Sequence, residues 1–199
     1  MTRRTQQERR EATVAKLVDA TISAIVELGY HRTSVQAICG RAGLSVGAMF
    51  RQFDSRLDLV VAAVEEVVAR HLAHFREHLA ALAAEEDVIT ASLRFLRQAT
   101  GSPLTHVLRE VLIAARTEQE LRSRVRPTIH RYYSAIFADA EHAGVLAPLP
   151  PEHRENVVHM MVHLFSGEAL ITGVDPRPEQ AEAQLQLARR MLLTLAGTD

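Results

Sequence analysis

Thr33-Ser-Val-Gln-Ala-Ile-Cys-Gly-Arg-Ala-Gly-Leu-Ser-Val-Gly-Ala-Met-Phe-Arg-Gln-Phe-Asp-Ser-Arg56 is the stretch that decides the fold. Thr33-Ser-Val-Gln36 has the pattern of a capping box, with Thr33 capping a helix and Gln36 reaching back. That helix buries Val35, Ile38, Cys39 and Ala42, and Gly43 supplies a turn residue tolerant of positive φ. Ser45 is positioned to cap a third short helix that buries Met49 and Phe53. Ser55 and Asp58 then open a long helix reaching about Ala83. Two short helices joined across a tight glycine turn form a helix-turn-helix over residues 34–53, an arrangement that presents one helix to the major groove of DNA.

Outward from this stretch the chain is helical in both directions. From Arg9 to Leu28, apolar residues recur at Val14, Leu17, Val18, Ile22, Ile25 and Val26 with the spacing of one buried helix face. Gly29 is the expected left-handed stop. Downstream, Ser102-Pro103 places proline at a first helical position, and Thr117-Glu-Gln-Glu120 has the form of another capping box. Gly144–Pro151 and Asp175–Pro178 are loops. Helical patterns lie near 87–100, 103–115, 118–143, 151–171 and 179–196. The sum is an all-α fold of about nine helices with no convincing strand.

Composition agrees. The 199 residues are 47% hydrophobic but only 5% aromatic, without Trp, which favours helix over strand. No apolar run is long enough for a membrane span, and the N-terminus is polar and charged, unlike a signal peptide. The single cysteine, Cys39, excludes an internal disulfide framework and suits a reducing compartment. It is read as a small core residue, since no sequence neighbour obviously lowers its pKa. Residues 1–60 carry nine Arg or Lys against six Asp or Glu, and residues 61–199 carry 14 against 18. A basic head on an acidic body is compatible with a DNA-binding module joined to a regulatory one. Arg3, Arg4, Arg9 and Arg10 form either a solvated tail or an arm that touches phosphates.

The residues Gly29-Tyr30, Thr33-Ser34-Val35, Ile38, Ala42-Gly43-Leu44-Ser45, Gly47, Phe50, Phe53 and Leu57 resemble the recurrent positions of the TetR family of one-component regulators. The resemblance covers about residues 9–70 and implies a helix-turn-helix DNA-binding domain there, with a ligand-sensing and dimerisation domain over 71–199. It implies a recognition helix over 46–52, hence Val46, Gly47 and Ala48 close to the DNA backbone and base edges. It also implies phosphate anchoring by Thr33 or Ser34, by Ser45 and by the residue at 50. The common Gly-Thr-Leu-Tyr is Gly47-Ala-Met-Phe50 here, so Phe50 and Ala48 lack the hydroxyls usual at those places. The usual lysine at 56 is Arg56, which keeps the charge and suits phosphate. Base reading then falls mainly on Arg51 and Gln52, since Arg suits guanine and Gln suits adenine. Arg51 could instead pair with Asp54.

In the body, the segments 151–171 and 179–196 are apolar on more than one face and need more than one partner. Two copies of these helices packed as a four-helix homodimer interface satisfy that need and match the resemblance. Two heads in such a dimer read a pseudo-palindromic operator in double-stranded DNA, with half-sites about 34–36 Å apart. The resemblance also implies a pocket for a small-molecule effector, with His74, His106, Tyr133, Phe137, Met160, Met161 and His163 as candidate lining residues. His71, His74 and His78, and the pair His159 and His163, have spacings able to bind metal. No carboxylate or cysteine motif accompanies them, and neither a metal nor a cofactor is assigned.

Two other classes fit the sequence less well. An enzyme would need a nucleophile with a base, a phosphate-cradling loop or a metal motif, and none is present. Glu65-Glu66 and Glu85-Glu86 are adjacent pairs that point to different helix faces. A helical dimerisation module without DNA binding is kept open by Phe50 and Ala48. The favoured reading is a transcriptional repressor released from its operator by a largely apolar ligand, working in the bacterial cytoplasm at the nucleoid.

Overall fold

The computed structural model describes residues 5–82 and 87–197. Arg3, Arg4, Ala83, Glu85 and Glu86 lie outside them. Among the described residues there are nine α-helices and no strand: α1 (Gln6–Leu28), α2 (Val35–Ala42), α3 (Val46–Phe50), α4 (Arg56–Leu82), α5 (Val88–Thr100), α6 (Pro103–Ala115), α7 (Gln119–His142), α8 (Pro151–Thr172) and α9 (Pro178–Ala196).

The helix ends follow from local chemistry. Thr5 opens α1 through a reciprocal box: Glu8 N–H donates to Thr5 Oγ1 at 3.2 Å while Thr5 N–H donates to Glu8 Oε2 at 2.6 Å. Apolar periodicity alone places this start near Arg9; the Thr5-Gln-Gln-Glu8 box carries the helix back to Gln6. Gly29 follows α1 with φ 77 but ψ 164, so the chain leaves extended rather than in the left-handed turn expected. Ser34, not Thr33, caps α2, accepting from Ala37 N–H at 3.1 Å. Gly43 is left-handed (φ 64, ψ 35) and its N–H bonds back to Cys39 and Gly40 carbonyls. Ser45 caps α3 in the same way through Ala48 N–H at 3.1 Å. Ser55 and Asp58 exchange bonds at the start of α4, at 2.6 and 3.1 Å. The box expected at Thr117 does not form. Thr117 Oγ1 instead donates to the Ala114 carbonyl at 3.2 Å, closing α6, and α7 starts at Gln119.

Two compact units result. The first joins the chain up to Arg70 with Pro103–His130; the second joins His71–Ser102 with Arg131 onward. In the first, α1 packs on α2 and on α6, around Leu17, Ile25, Ile38, Met49 and Leu59, all 0% exposed. In the second, α5 packs on α8 and α9 around Leu93, Met161, Phe165, Leu185 and Leu192. Two arginines lock this arrangement: Arg97 reaches Glu168 at 2.9 Å, and Arg189 reaches Asp87 at 2.9 Å. The Asp87 carboxyl lies below its usual range, mainly because it caps α5 through Thr90 N–H.

Candidate nucleic-acid interface and apolar cavity

The helix-turn-helix presents one surface built from short side chains and caps. Ser34, Ser45, Val46, Gly47, Phe50 and Arg51 are exposed, Ala48 and Gln52 are half-buried, and Met49 behind them is 0% exposed. Ser34 and Ser45 use a lone pair for capping, which leaves each hydroxyl proton available to an outside acceptor. Phe50 is 51% exposed, an apolar ring that shares this surface with the exposed Val46. Arg51 makes no hydrogen bond or ion pair with any described residue, and no bridge to Asp54 forms. Gln52 is held differently: Arg10 Nε donates to Gln52 Oε1 at 3.2 Å. That bond fixes the amide so that its NH₂ group remains to donate.

Two expected anchors have other partners. Thr33 is 0% exposed, and its hydroxyl donates to the Gly29 carbonyl at 2.8 Å. A buried hydroxyl already bonded to the backbone cannot reach a phosphate without unfolding the turn, whereas Ser34 beside it is exposed. Arg56 turns inward: its Nε donates to the Thr33 carbonyl and its Nη2 to the Tyr30 carbonyl, each at 2.5 Å. Its guanidinium carbon also lies 4.4 Å from the centre of the Tyr30 ring. The charge is thereby used to hold the α1–α2 connection.

Tyr30 is the centre of this brace, and nothing in the local sequence revealed it. Its N–H donates to Glu110 Oε2 at 2.9 Å and its hydroxyl to Glu118 Oε2 at 2.6 Å. Burial first, and then the bond to Glu118, hold the phenol above its ordinary pKa, so it stays a donor. Nearby, Asp58 takes Arg124 Nη2 at 2.6 Å. Its carboxyl is held low, first by the Ser55 hydroxyl and then by Arg124. Burial raises the Cys39 thiol, as suits a core residue.

The second unit contains an apolar cavity of about 100 Å³. Phe75, Phe95, Ile136, Leu149 and Met161 line it, with His78 and Ser92 as its polar members and no Asp, Glu, Lys or Arg among the described residues. None of the six principal sequence candidates borders it. His74 and His163 are exposed and Met160 is 54% exposed, because these positions fall on outward faces of α4 and α8. His106 belongs to the first unit. Tyr133 stacks on His159, with ring centres 5.4 Å apart, and Phe137 packs against the core. Only Met161 of the candidates reaches the cavity. The expected lining favoured α7 and α8, whereas the cavity draws heavily on α5 and the end of α4. Of the histidines, His78 stacks on Phe95 at 3.8 Å, and His71 meets the Tyr132 hydroxyl at 2.9 Å. Among the described residues no three His, Cys, Asp or Glu are grouped to hold a metal ion. No helix there is long and apolar enough to cross a membrane.

A helical chain whose helix-turn-helix is set by the Ser34 and Ser45 caps and an arginine-braced turn is a DNA-binding regulator in its architecture. Residues 17–63 match the family described as bacterial regulatory proteins, tetR family. The chain is 36% identical, over 95% of its length and 97% of the relative's, to the HTH-type transcriptional regulator Rv2912c of Mycobacterium tuberculosis. It belongs to the TetR family of transcriptional regulators, and it is not an enzyme. Solved structures share the fold: Salmonella enterica GusR aligns over 97% of this chain and 98% of its own (TM-score 0.71, 19% identity). The multidrug binding protein EbrR, complexed with imidazole, aligns over 94% of each chain (TM-score 0.66, 21% identity).

Proposed function

We propose that the protein is a homodimeric repressor that binds a pseudo-palindromic operator and leaves it when a small, largely apolar ligand enters the second unit. The observation that carries this reading is the helix-turn-helix surface, where Arg51 is exposed and unpaired among the described residues. In this reading Ser34 and Ser45 anchor phosphates, Val46, Gly47 and Ala48 allow close approach, and Arg51 and Gln52 meet base edges. Phe50 offers apolar contact only. The likeness to EbrR supports a ligand-responsive body.

Dimerisation is proposed through α8 and α9. Both helices bury one face, yet Met160, Leu164, Leu170 and Ile171 on α8, with Leu187 and Met191 on α9, are 38–61% exposed. That is the pattern of two apolar helices awaiting a second copy. Ligand binding would shift the population toward a head spacing that no longer matches two half-sites.

Selection of binding sequences from a random duplex pool tests the reading. An enriched palindrome is the expected result; no enrichment even at low salt would sink it. Sedimentation of Leu164→Lys against the parent chain tests the dimer face, with dissociation expected.

A further inference from the structure

The interior cavity carries more chemistry than a general apolar pocket needs. Its wall holds aromatic and aliphatic side chains, no Asp, Glu, Lys or Arg among the described residues, and two polar members, His78, which stacks on Phe95, and Ser92. Ser92 Oγ is buried and has no hydrogen-bond partner among the described residues. A serine inside a helix ordinarily bonds back to the carbonyl four residues earlier. The Ser92 hydroxyl lines the cavity without doing so. A buried hydroxyl left unmatched is costly, and it gains most from a ligand that completes it.

Size sets the second limit. The cavity is about 100 Å³, two thirds of the ~150 Å³ of an apolar cavity that admits benzene. One six-membered ring is therefore the upper bound, reached when the flexible Met161 thioether in the wall gives way. Charge sets the third. With no Lys or Arg in the wall, a carboxylate would enter without a permanent cationic partner and could charge-pair only by protonating His78.

We infer that the effector is a compact, uncharged molecule of one ring bearing a single hydroxyl, of the phenol class, with that hydroxyl bonded to Ser92. This rests on the ligand-released reading above and narrows it to one chemistry. The wall and the volume favour such a ligand over the carboxylic acids, sugars and long-chain lipids that a helical pocket could otherwise hold.

The test is calorimetric titration of the full-length protein with phenol, benzene, 4-hydroxybenzoate and 2-naphthol. Phenol should bind about 3- to 10-fold more tightly than benzene, the increment of one neutral hydrogen bond. In Ser92→Ala phenol should lose its advantage and bind no more tightly than benzene, with benzene affinity kept. 4-Hydroxybenzoate should be weaker than phenol by about 100-fold or more, and 2-naphthol should not bind. Equal affinity for phenol and benzene in the parent protein overturns the assignment. So does an unchanged ratio in Ser92→Ala, or tighter binding of the acid or the double ring. Operator release is read separately, by anisotropy of a labelled duplex taken from the selection. If phenol binds in the stated order and neither it nor any other ligand tried releases the duplex, the cavity's ligand preference holds and the release reading fails. If the duplex is released only by a ligand of another class, the release reading holds and this assignment fails.

Discussion

Replacing Arg56 by methionine separates two roles that a guanidinium beside a helix-turn-helix could have. Methionine keeps the length and packing of the stem and removes the charge with its two donors. In the structure those donors hold the Thr33 and Tyr30 carbonyls, and the cation sits over the Tyr30 ring. Water can partly replace donors to a half-buried loop, so each bond is taken near the neutral value of about 1 kcal/mol. The ring contact adds about 0.5–1 kcal/mol. The loss is then about 2–3 kcal/mol, a fall in Tm of roughly 5–10 °C for a chain of this size. Operator affinity should weaken as the Ser34 cap loses its fixed position. The slope of log K against log salt should stay the same, because no phosphate contact is removed. A phosphate ligand behaves oppositely: its loss lowers the slope by about 0.9 per contact, or about 1.8 for a dimer. Arg51→Ala is the comparison, with Tm nearly unchanged and DNA binding sharply weakened. Scanning calorimetry and anisotropy at several salt concentrations read both quantities. An Arg56→Met protein with the parent Tm and a slope reduced by about 1.8 refutes the brace.

Other outcomes follow from single features. Gly29→Ala places a side chain at φ 77 with its Cβ 2.9 Å from Glu110 Oε2, so stability should fall by at least about 1–2 kcal/mol in chemical denaturation. Burial, with the His74 charge second, lowers the His71 pKa to about 4 from 6.5. The unfolded chain therefore takes up this proton first, so stability is lost as pH falls through that window. At about 1.4 kcal/mol per pKa unit the loss is about 3 kcal/mol by pH 4, and His71→Gln should flatten that limb of a stability–pH profile. Arg10→Ala frees Gln52 Oε1, so repeated sequence selection should shift the base opposite Gln52 from one offering acceptors toward adenine. Phe50→Tyr supplies a hydroxyl where the ring is 51% exposed, and should tighten operator binding about 5-fold in anisotropy titrations.

Much of the helical framework was legible because its determinants are local. Ser45, Ser55 and Gly43 act within four residues of their partners, and proline marked the start of α6. The misassigned cap shows where locality ends. Thr33 and Ser34 are equally competent by type, and the choice is made by the turn that buries Thr33 against the Gly29 carbonyl. Arg56 was read as an anchor because its partners lie 23 and 26 residues away, and the Tyr30 bonds to Glu110 and Glu118 span 80 and 88 residues. No periodicity encodes such distances. The lining of the cavity is hidden for a related reason: it combines faces of several helices, which a helix judged singly does not show. Which face of each helix turns inward is decided by its neighbours, and Ser92 gave no signal at all.

The brace around Tyr30 also bears on how such regulators can be recombined. The first unit is discontinuous, since residues up to Arg70 are completed by Pro103–His130. A chimera that exchanges only the first 70 residues would part Tyr30 from Glu110 and Glu118, and Asp58 from Arg124. New operator specificity on the same sensor is better obtained by grafting the exposed positions of α3 alone, or by carrying three splice junctions instead of one. The unit that carries the helix-turn-helix is one body in space but two segments in the gene, so moving it as a single cassette would break its internal contacts.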